Sequence, residues 1–144
     1  MLVLDTDLLT LIQGPEGEEY ARLAARLEAA AAAGRAIRVT IISLEEQMRG
    51  WLAQIARARS AERLIEAYRR LRVLFDDYAS RSLLDFDGRA AAHFQQLVKA
   101  RTRIGTMDLK IASICLAHGA TLLSHNLRHF RKVPGLQVED WTAR

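Results

Sequence analysis

Three acidic residues stand where a divalent cation could be held between them. Asp5 directly follows an apolar run over residues 2–4, Glu46 falls in the first turn of a predicted helix, and Asp108 lies just after Thr106 at the start of another. Carboxylates gathered at one place repel one another unless a hard cation lies between them, and Mg²⁺ or Mn²⁺ prefers a few carboxylates with water. One or two such ions can activate a water and neutralise charge that develops on a phosphodiester. The pattern therefore favours metal-dependent phosphodiester hydrolysis.

Each acid also has a purely structural interpretation. Asp and Glu are favoured in the first turn of any helix by the helix dipole and by capping. Asp5 differs from the others because it ends an apolar strand, where a carboxylate is partly buried. Asp7 is equally well explained as the N-cap of a helix beginning at Leu8, so we rank it as a secondary candidate. The three acids together carry more weight than any one of them alone.

Apolar segments of two kinds predict the elements that position these acids. Short apolar runs indicate strands, and apolar residues at steps of three and four indicate helices. Ser43 and Thr106 are the predicted N-caps, and Gly34 and Gly119 are the predicted helix stops. The predicted strands lie at 2–4, 37–42, 83–84, 120–123 and 136–141, and the predicted helices at 8–12, 16–33, 44–55, 64–75, 88–101 and 107–118.

The order of these elements predicts the fold class. Almost continuously apolar strands that alternate with helices are typical of a parallel sheet covered on both faces. We expect an α/β protein, a three-layer α/β/α sandwich with a central, mainly parallel sheet, organised as one domain over 1–144. In such a sheet the ligand site lies at the carboxyl ends of the strands, where the strand order reverses. Asp5, Glu46 and Asp108 are all predicted to lie at that edge.

The composition excludes several other classes of protein. Half of the 144 residues are hydrophobic and 26% are charged, which is typical of a folded globular domain. No apolar run approaches the roughly 18 residues of a membrane span, and no basic leader precedes the first strand, so we expect a soluble, cytoplasmic protein with no membrane partner. The lone Cys115 excludes an internal disulfide. The motifs of nucleotide-binding loops and of serine hydrolases are absent from the sequence.

Basic residues outnumber acidic ones by four, 21 against 17. Lys and Arg cluster at 57–72, 99–103 and 128–132. Such clusters can contact phosphates. The run at 57–72 is equally typical of the solvated face of an amphipathic helix, and charge alone does not decide between the two.

Four segments resemble the motifs of the PIN-domain family. They are 4–9 (LDTDLL), 42–50 (ISLEEQMRG), 106–112 (TMDLKIA), and 119–130 (GATLLSHNLRHF) with VPGL at 133–136. The similarity runs essentially from end to end with the family's order and spacing. It is greatest to the VapC-like toxins of bacterial type II toxin–antitoxin pairs.

The resemblance implies a Mg²⁺-dependent endoribonuclease, with Mn²⁺ as an alternative ion, that hydrolyses RNA phosphodiester bonds by metal-activated water. It implies that Asp5, Glu46 and Asp108 hold the metal and are catalytic. Glu46 is preferred over Glu45 because it stands four residues before Gly50, as in the family pattern.

The last motif departs from the family pattern. Asn126 and His129 stand where the family usually has an acid, and because Asn carries no charge, three carboxylates would hold one ion well and a second one weakly. Asn126 is kept as the fourth catalytic candidate, and Ser124 as a secondary residue that positions water or phosphate. His125 and His129 are four residues apart and would share one face of a helix, which is a weak pattern for a transition-metal site.

The resemblance also implies partners: an RNA bound as a single strand or loop, a cognate antitoxin protein and a second copy of the chain in a homodimer. The predicted helical pair at 44–75 offers an apolar groove suited to an amphipathic helix, and an Arg of the antitoxin could cap the acids. The alternatives are a housekeeping nuclease for RNA maturation or DNA flaps, and a catalytically impaired module that binds RNA or an antitoxin. A receiver-like Mg²⁺-binding domain is disfavoured because the second strand ends without an Asp and Lys110 lies within a helix.

Overall fold

The computed structural model describes residues 1–143. Within them the strands are Leu2–Leu4 (β1), Ile37–Thr40 (β2), Leu83–Leu84 (β3), Thr121–Leu123 (β4) and Gln137–Glu139 (β5). The helices are Thr6–Gln13 (α1), Gly17–Ala32 (α2), Ile41–Arg57 (α3), Ala61–Ala79 (α4), Gly88–Lys99 (α5), Thr106–His118 (α6) and Leu127–Phe130 (α7). Every predicted strand and helix is present, and α7 is an additional short helix.

The strands form one parallel sheet in the order β3-β2-β1-β4-β5. The central strand β1 pairs with β2 on one side and with β4 on the other, where Leu4 is aligned with Leu123. The chain builds outward from β1 to β3 and then returns to add β4 on the opposite side. The strand order therefore reverses between β1 and β4, which is where a crevice opens at the carboxyl ends of the strands.

Helices cover both faces of the sheet, as the sequence predicts for a three-layer sandwich. One apolar cluster contains Val3 and Leu122 with residues of α5, α6 and α7. The other contains Leu2 and Leu4 with residues of α1, α2 and α4. Neighbouring residues of β1 point to opposite faces because side chains alternate along a strand. Both faces of β1 are buried, so its apolar run of three residues is explained by packing on two sides.

The boundary between β2 and α3 lies earlier than predicted. β2 ends at Thr40, which caps α3 by accepting a hydrogen bond from the Ser43 amide at 3.2 Å, so the prediction of Ser43 as N-cap was wrong. Ile41 and Ile42 form the first turn of the helix, with Ile42 packed in the core. Burial of these β-branched side chains against the sheet outweighs their preference for strands.

Two other helix starts also differ from prediction. Asp5, rather than Asp7, is the N-cap of α1, and its carboxylate accepts from the Thr6 amide. Thr106 is the first residue of α6 and Gly105 precedes it as the cap, with no side chain to contribute. The predicted stops are confirmed, since Gly34 and Gly119 have φ angles of 77° and 58°, a left-handed conformation that glycine adopts without strain.

No helix within residues 1–143 is both long enough and apolar enough to cross a membrane.

Candidate active site

Asp5 occupies the crevice between β1 and β4. Its amide donates to the Leu123 carbonyl, which continues the pairing of the two strands by one residue. Its side chain is only 6% exposed and accepts two hydrogen bonds, from the Thr6 amide at 2.8 Å and from the Ser124 hydroxyl at 2.6 Å. The carboxylate is thus fixed in place by the start of α1 and the end of β4.

The environment of Asp5 disfavours its charge. Burial, followed by the nearby charge of Asp7, raises the pKa of Asp5 to about 7, although the hydrogen bonds from Ser124 and Thr6 oppose this rise. Asp108 raises the pKa further. A carboxylate with this pKa is stabilised by whatever neutralises it, either a proton or a cation.

Glu46 approaches Asp5 from the second turn of α3, rather than from the first turn as predicted, because α3 begins earlier, at Ile41. Its Oε1 accepts a hydrogen bond of 2.8 Å from the hydroxyl of Thr6, the residue next to Asp5. Burial is the main cause that raises the pKa of Glu46, and the charge of Asp108 adds to it. The neighbouring Glu45 forms an ion pair with Arg49 at 2.6 Å on its own helix. The two glutamates therefore have different surroundings, and Glu46 is the one that lies within the acidic group.

Asp108 completes the group from the first turn of α6. It is half-buried, and burial raises its pKa, while the nearby His129 lowers it and Asp7 raises it. Each carboxylate of the group feels the charge of at least one other, which places them in one electrostatic neighbourhood. The structure thus brings together four acids from three distant parts of the sequence: Asp5 with Asp7, Glu46 and Asp108.

The fourth motif contributes polar groups around these acids. The Ser124 hydroxyl accepts a hydrogen bond from the Asn126 backbone amide at 2.9 Å and donates one to Asp5. The Asn126 side-chain nitrogen lies 2.9 Å from Nδ1 of His129. Ser124 therefore supports Asp5 directly, and Asn126 is held between Ser124 and His129 at the border of the acidic group.

The two histidines do not share a helical face. His125 precedes α7. Its backbone amide donates to Asp7 Oδ2 at 3.1 Å, and its ring Nδ1 lies 3.4 Å from the same oxygen. His129 lies within α7 and influences Asp108 instead. The prediction of one helical histidine pair was wrong because α7 begins only at Leu127 and the two rings have different partners, Asp7 for His125 and Asn126 for His129.

The donor set fits a hard divalent cation in chemical type. In the described part of the chain, no Lys or Arg forms an ion pair with Asp5, Glu46 or Asp108. Carboxylate oxygens completed by water are the ligands that Mg²⁺ and Mn²⁺ take in proteins. Across residues 1–143, however, no three Asp, Glu, His or Cys side chains already converge to ligand distance. In the described part of the chain, the acids thus lie near one another without a Lys or Arg counterion, but they do not form a complete set of metal ligands.

Sequence reasoning missed Thr6 as a functional candidate. Its hydroxyl lies 2.8 Å from Glu46 and 2.9 Å from the hydroxyl of Ser43, while its amide binds Asp5. The only available signal was its position next to Asp5, because the contacts with α3 span about 40 residues of sequence.

Three of the six arginines in the basic run at 57–72 pair with acids of α4. Glu66 pairs with Arg69 and Arg70, and Asp76 pairs with Arg72. The other two clusters approach each other, because the Lys132 ammonium donates to the Arg103 carbonyl. Of the three clusters, those at 99–103 and 128–132 flank the start of α6 and the end of α7, the helices that carry Asp108 and His129.

Comparison with known proteins finds relatives that are named as nucleases. The tRNA(fMet)-specific endonuclease VapC of Salmonella typhimurium is 33% identical over 85 residues, which cover 56% of this chain and 64% of that protein. Ribonuclease VapC2 of Haemophilus influenzae is 37% identical over 73 residues, covering 47% of this chain and 55% of that protein. The chain thus spans less than two thirds of the length of these curated relatives.

Solved structures share the whole fold. The DNA-bound VapBC of Salmonella typhimurium matches with a TM-score of 0.73 and 25% identity, covering 97% of each chain. VapBC2 from Rickettsia felis, bound to a fragment of promoter DNA, matches with a TM-score of 0.70 and 24% identity, covering 97% of this chain and 98% of that one. The model of the PIN domain matches residues 2–136. With nearly the whole chain matched and the acids gathered at the switch point of the sheet, this protein belongs to the PIN-domain family.

Proposed function

We propose that this chain is a Mg²⁺-dependent endoribonuclease and the toxin of a type II toxin–antitoxin pair. The observation that carries the proposal is the group of carboxylates around the buried Asp5, which has no Lys or Arg counterion within residues 1–143. The names of the relatives, endonuclease and ribonuclease, support the same activity. A cytoplasmic location is part of this proposal, since the RNA substrate is there.

Asp5, Glu46 and Asp108 are the residues that would hold the ion. A divalent ion bound there supplies an activated water and neutralises charge on the phosphodiester during in-line hydrolysis. The protein's own groups orient the ligands: Ser124 and the Thr6 amide hold Asp5 through two hydrogen bonds. Such partners behind the ligands fix their direction and tune their basicity.

The border of the site fits an RNA strand. Exposed cations at 99–103 and 128–132 lie next to each other, near the helices that carry Asp108 and His129, and form no ion pair in the described part of the chain. Asn126 borders the acids through its contacts with Ser124 and His129. Its side-chain amide can bind water or a phosphate oxygen there. Side chains in a crevice cannot read bases inside an A-form duplex, so the substrate is a single strand or a loop.

The antitoxin is assigned to the surface of the α3–α4 hairpin. A groove of about 550 Å³ runs between these helices and β3, lined by apolar side chains that include Leu44, Leu71 and Phe75. Phe75 is 67% exposed. An amphipathic helix suits such a groove. An Arg from the same partner could then cap the acids, and self-association of the chain is a separate expectation that sedimentation would measure.

The activity is tested with purified protein and a panel of structured RNAs in Mg²⁺, Mn²⁺ or EDTA, beside Asp5→Asn and Asp108→Asn. We expect metal-dependent cuts in loops that both variants lose while they remain folded. Cleavage of DNA flaps at a comparable rate would instead favour the housekeeping nuclease. Equal RNA binding by wild type and variants without any cleavage would contradict the proposal and indicate a binding module.

A further inference from the structure

Thr6 contacts two members of the acidic group, Asp5 and Glu46, through two different atoms. Its backbone amide donates to Asp5 Oδ1 at 2.8 Å, and its hydroxyl lies 2.8 Å from Glu46 Oε1. Asp5 ends β1 and Glu46 lies on α3, so Thr6 is the residue that links the two elements at the crevice. A single residue thereby ties the position of one acid, through its backbone amide, to that of the other, through its hydroxyl.

The hydrogen-bond directions around Thr6 follow from counting protons. Its hydroxyl has one hydrogen, but two oxygens lie within reach, Glu46 Oε1 and the Ser43 hydroxyl at 2.9 Å. An ionised carboxylate can only accept, so the Thr6 hydrogen points to Glu46 and Ser43 donates to Thr6. Ser43 is fully buried, and its amide donates to the Thr40 hydroxyl. Glu46 is therefore held at the end of a chain of hydroxyls anchored in the core.

We propose that Thr6 is a positioning residue that joins Asp5 and Glu46 into one ligand set by engaging Glu46 Oε1 and leaving Oε2 for a cation. The cation itself rests on the proposed function, whereas the link between Thr6 and Glu46 does not. Partners behind metal ligands act in this way in many sites, by restricting the ligand to one orientation.

A separate network keeps α1 and α3 together without Thr6. Gln47 donates to Thr10 at 3.1 Å and to Gln13 at 2.7 Å, and the Tyr78 hydroxyl donates to Gln47. Replacing Thr6 with valine, which has nearly the same shape, removes the hydroxyl while these contacts remain. The variant therefore tests the orientation of Glu46 rather than the packing of the two helices.

The experiment measures Mn²⁺ binding by electron paramagnetic resonance in the absence of RNA. We expect Thr6→Val to weaken Mn²⁺ binding by about tenfold, the lower end of the range for a lost partner behind a ligand. Thr6→Ser restores binding because it restores the hydroxyl. Thr10→Val, the same substitution one turn further along α1, leaves binding close to that of wild type. In a Glu46→Ala background, Thr6→Val causes no further loss.

The inference would be overturned if Thr6→Val bound Mn²⁺ as tightly as wild type. It would also be overturned if Thr6→Val weakened Mn²⁺ binding by the same factor in the Glu46→Ala background as in wild type. If wild type itself bound no Mn²⁺, the proposed metal-dependent function would fail, and the inference would be decided by metal-free urea unfolding of the same variants. Non-additive effects of Thr6→Val and Glu46→Ala would uphold the link between the two side chains, and additive effects would refute it.

Discussion

Two regions of the molecule each carry an energetic cost when the chain is alone, and the two costs have opposite origins. The regions are the crevice between β1 and β4 and the surface of the α3–α4 hairpin. In the crevice, carboxyl groups are buried without a counterion, as at Asp5, which is 6% exposed. On the hairpin, charges are paired within one helix while large apolar side chains such as Phe75 face solvent. A small cation relieves the first situation, and a protein partner relieves the second. The comparison separates a site for chemistry from a site for docking.

The largest expected effect is on cleavage in the crevice. Glu46→Ala should lower the rate of RNA cleavage by more than about 100-fold, because even partners behind metal ligands account for 10- to 100-fold effects. The matched control is Glu45→Ala, whose side chain pairs with Arg49 on the helix surface and should leave cleavage nearly unchanged. Single-turnover assays with one RNA substrate compare the two, and equal losses would remove the distinction between these neighbouring residues.

The hairpin is tested by making its groove polar. Phe75→Glu should weaken binding of the proposed antitoxin partner by at least about 30-fold, the effect of losing one apolar anchor. Ile65→Glu is the control, because Ile65 is similarly exposed, at 68%, but does not line the groove. Calorimetric titration gives both affinities, and RNA cleavage by free Phe75→Glu should persist. A greater loss with Ile65→Glu would move the docking surface to another face of α4.

The two regions should also differ in how pH changes stability. Burial and the charge of Asp7 raise the pKa of Asp5 from 3.8 to about 7, so the folded state holds a proton that the unfolded chain releases. The free energy of unfolding should therefore fall by on the order of 1 kcal/mol per pH unit between about pH 4 and 7, then level off. Asp5→Asn should lack this slope in urea unfolding with EDTA. An unchanged slope in that variant would contradict the assignment.

Asp77, on the hairpin, should change the free energy of unfolding with pH in the opposite direction. Burial raises its pKa, but hydrogen bonds from Arg81 and Gln13 lower it overall. Its contribution to stability is therefore present above its ordinary pKa and lost as the pH falls through the folded value. Asp77→Asn should reduce the loss of stability on acidification, in contrast to Asp5→Asn.

The smallest expected effect lies in the surface ion pairs of α4. Glu66→Ala removes the acid that pairs with Arg69 and Arg70, all of them well exposed. Pairs of this kind are screened by solvent and add little to stability. The urea midpoint should stay almost unchanged, and so should RNA affinity if the run at 57–72 is only a solvated face. A clear gain in RNA affinity would show that freed arginines of this run contact phosphates.

Local signals predicted most of the scaffold. The apolar run of β1, the glycine stops at Gly34 and Gly119 and the order of strands and helices were sufficient for the three-layer fold, because each depends on residues close in sequence. The start of α3 was mispredicted because β-branched Ile41 and Ile42 suit a strand by themselves, and only the core they enter favours a helix. The site was predicted as a set of acids with Asn126 and Ser124, but Ser124 was expected to position water or phosphate, whereas it binds Asp5, and the Thr6 hydroxyl was not predicted.

By itself, the sequence determined that Asp5 ends a strand and that Asp108 begins a helix, and hence that these acids lie at one edge of a parallel sheet. Only the tertiary structure decided that Asp5 is buried deeply enough for its pKa to rise, that Thr6 joins Glu46 across about 40 residues, and that His125 and His129 have different partners. The physical reason is that desolvation and hydrogen-bond geometry depend on neighbours brought together by folding. Periodicity along a chain records which face is apolar, but it does not record which polar atom will lie opposite another.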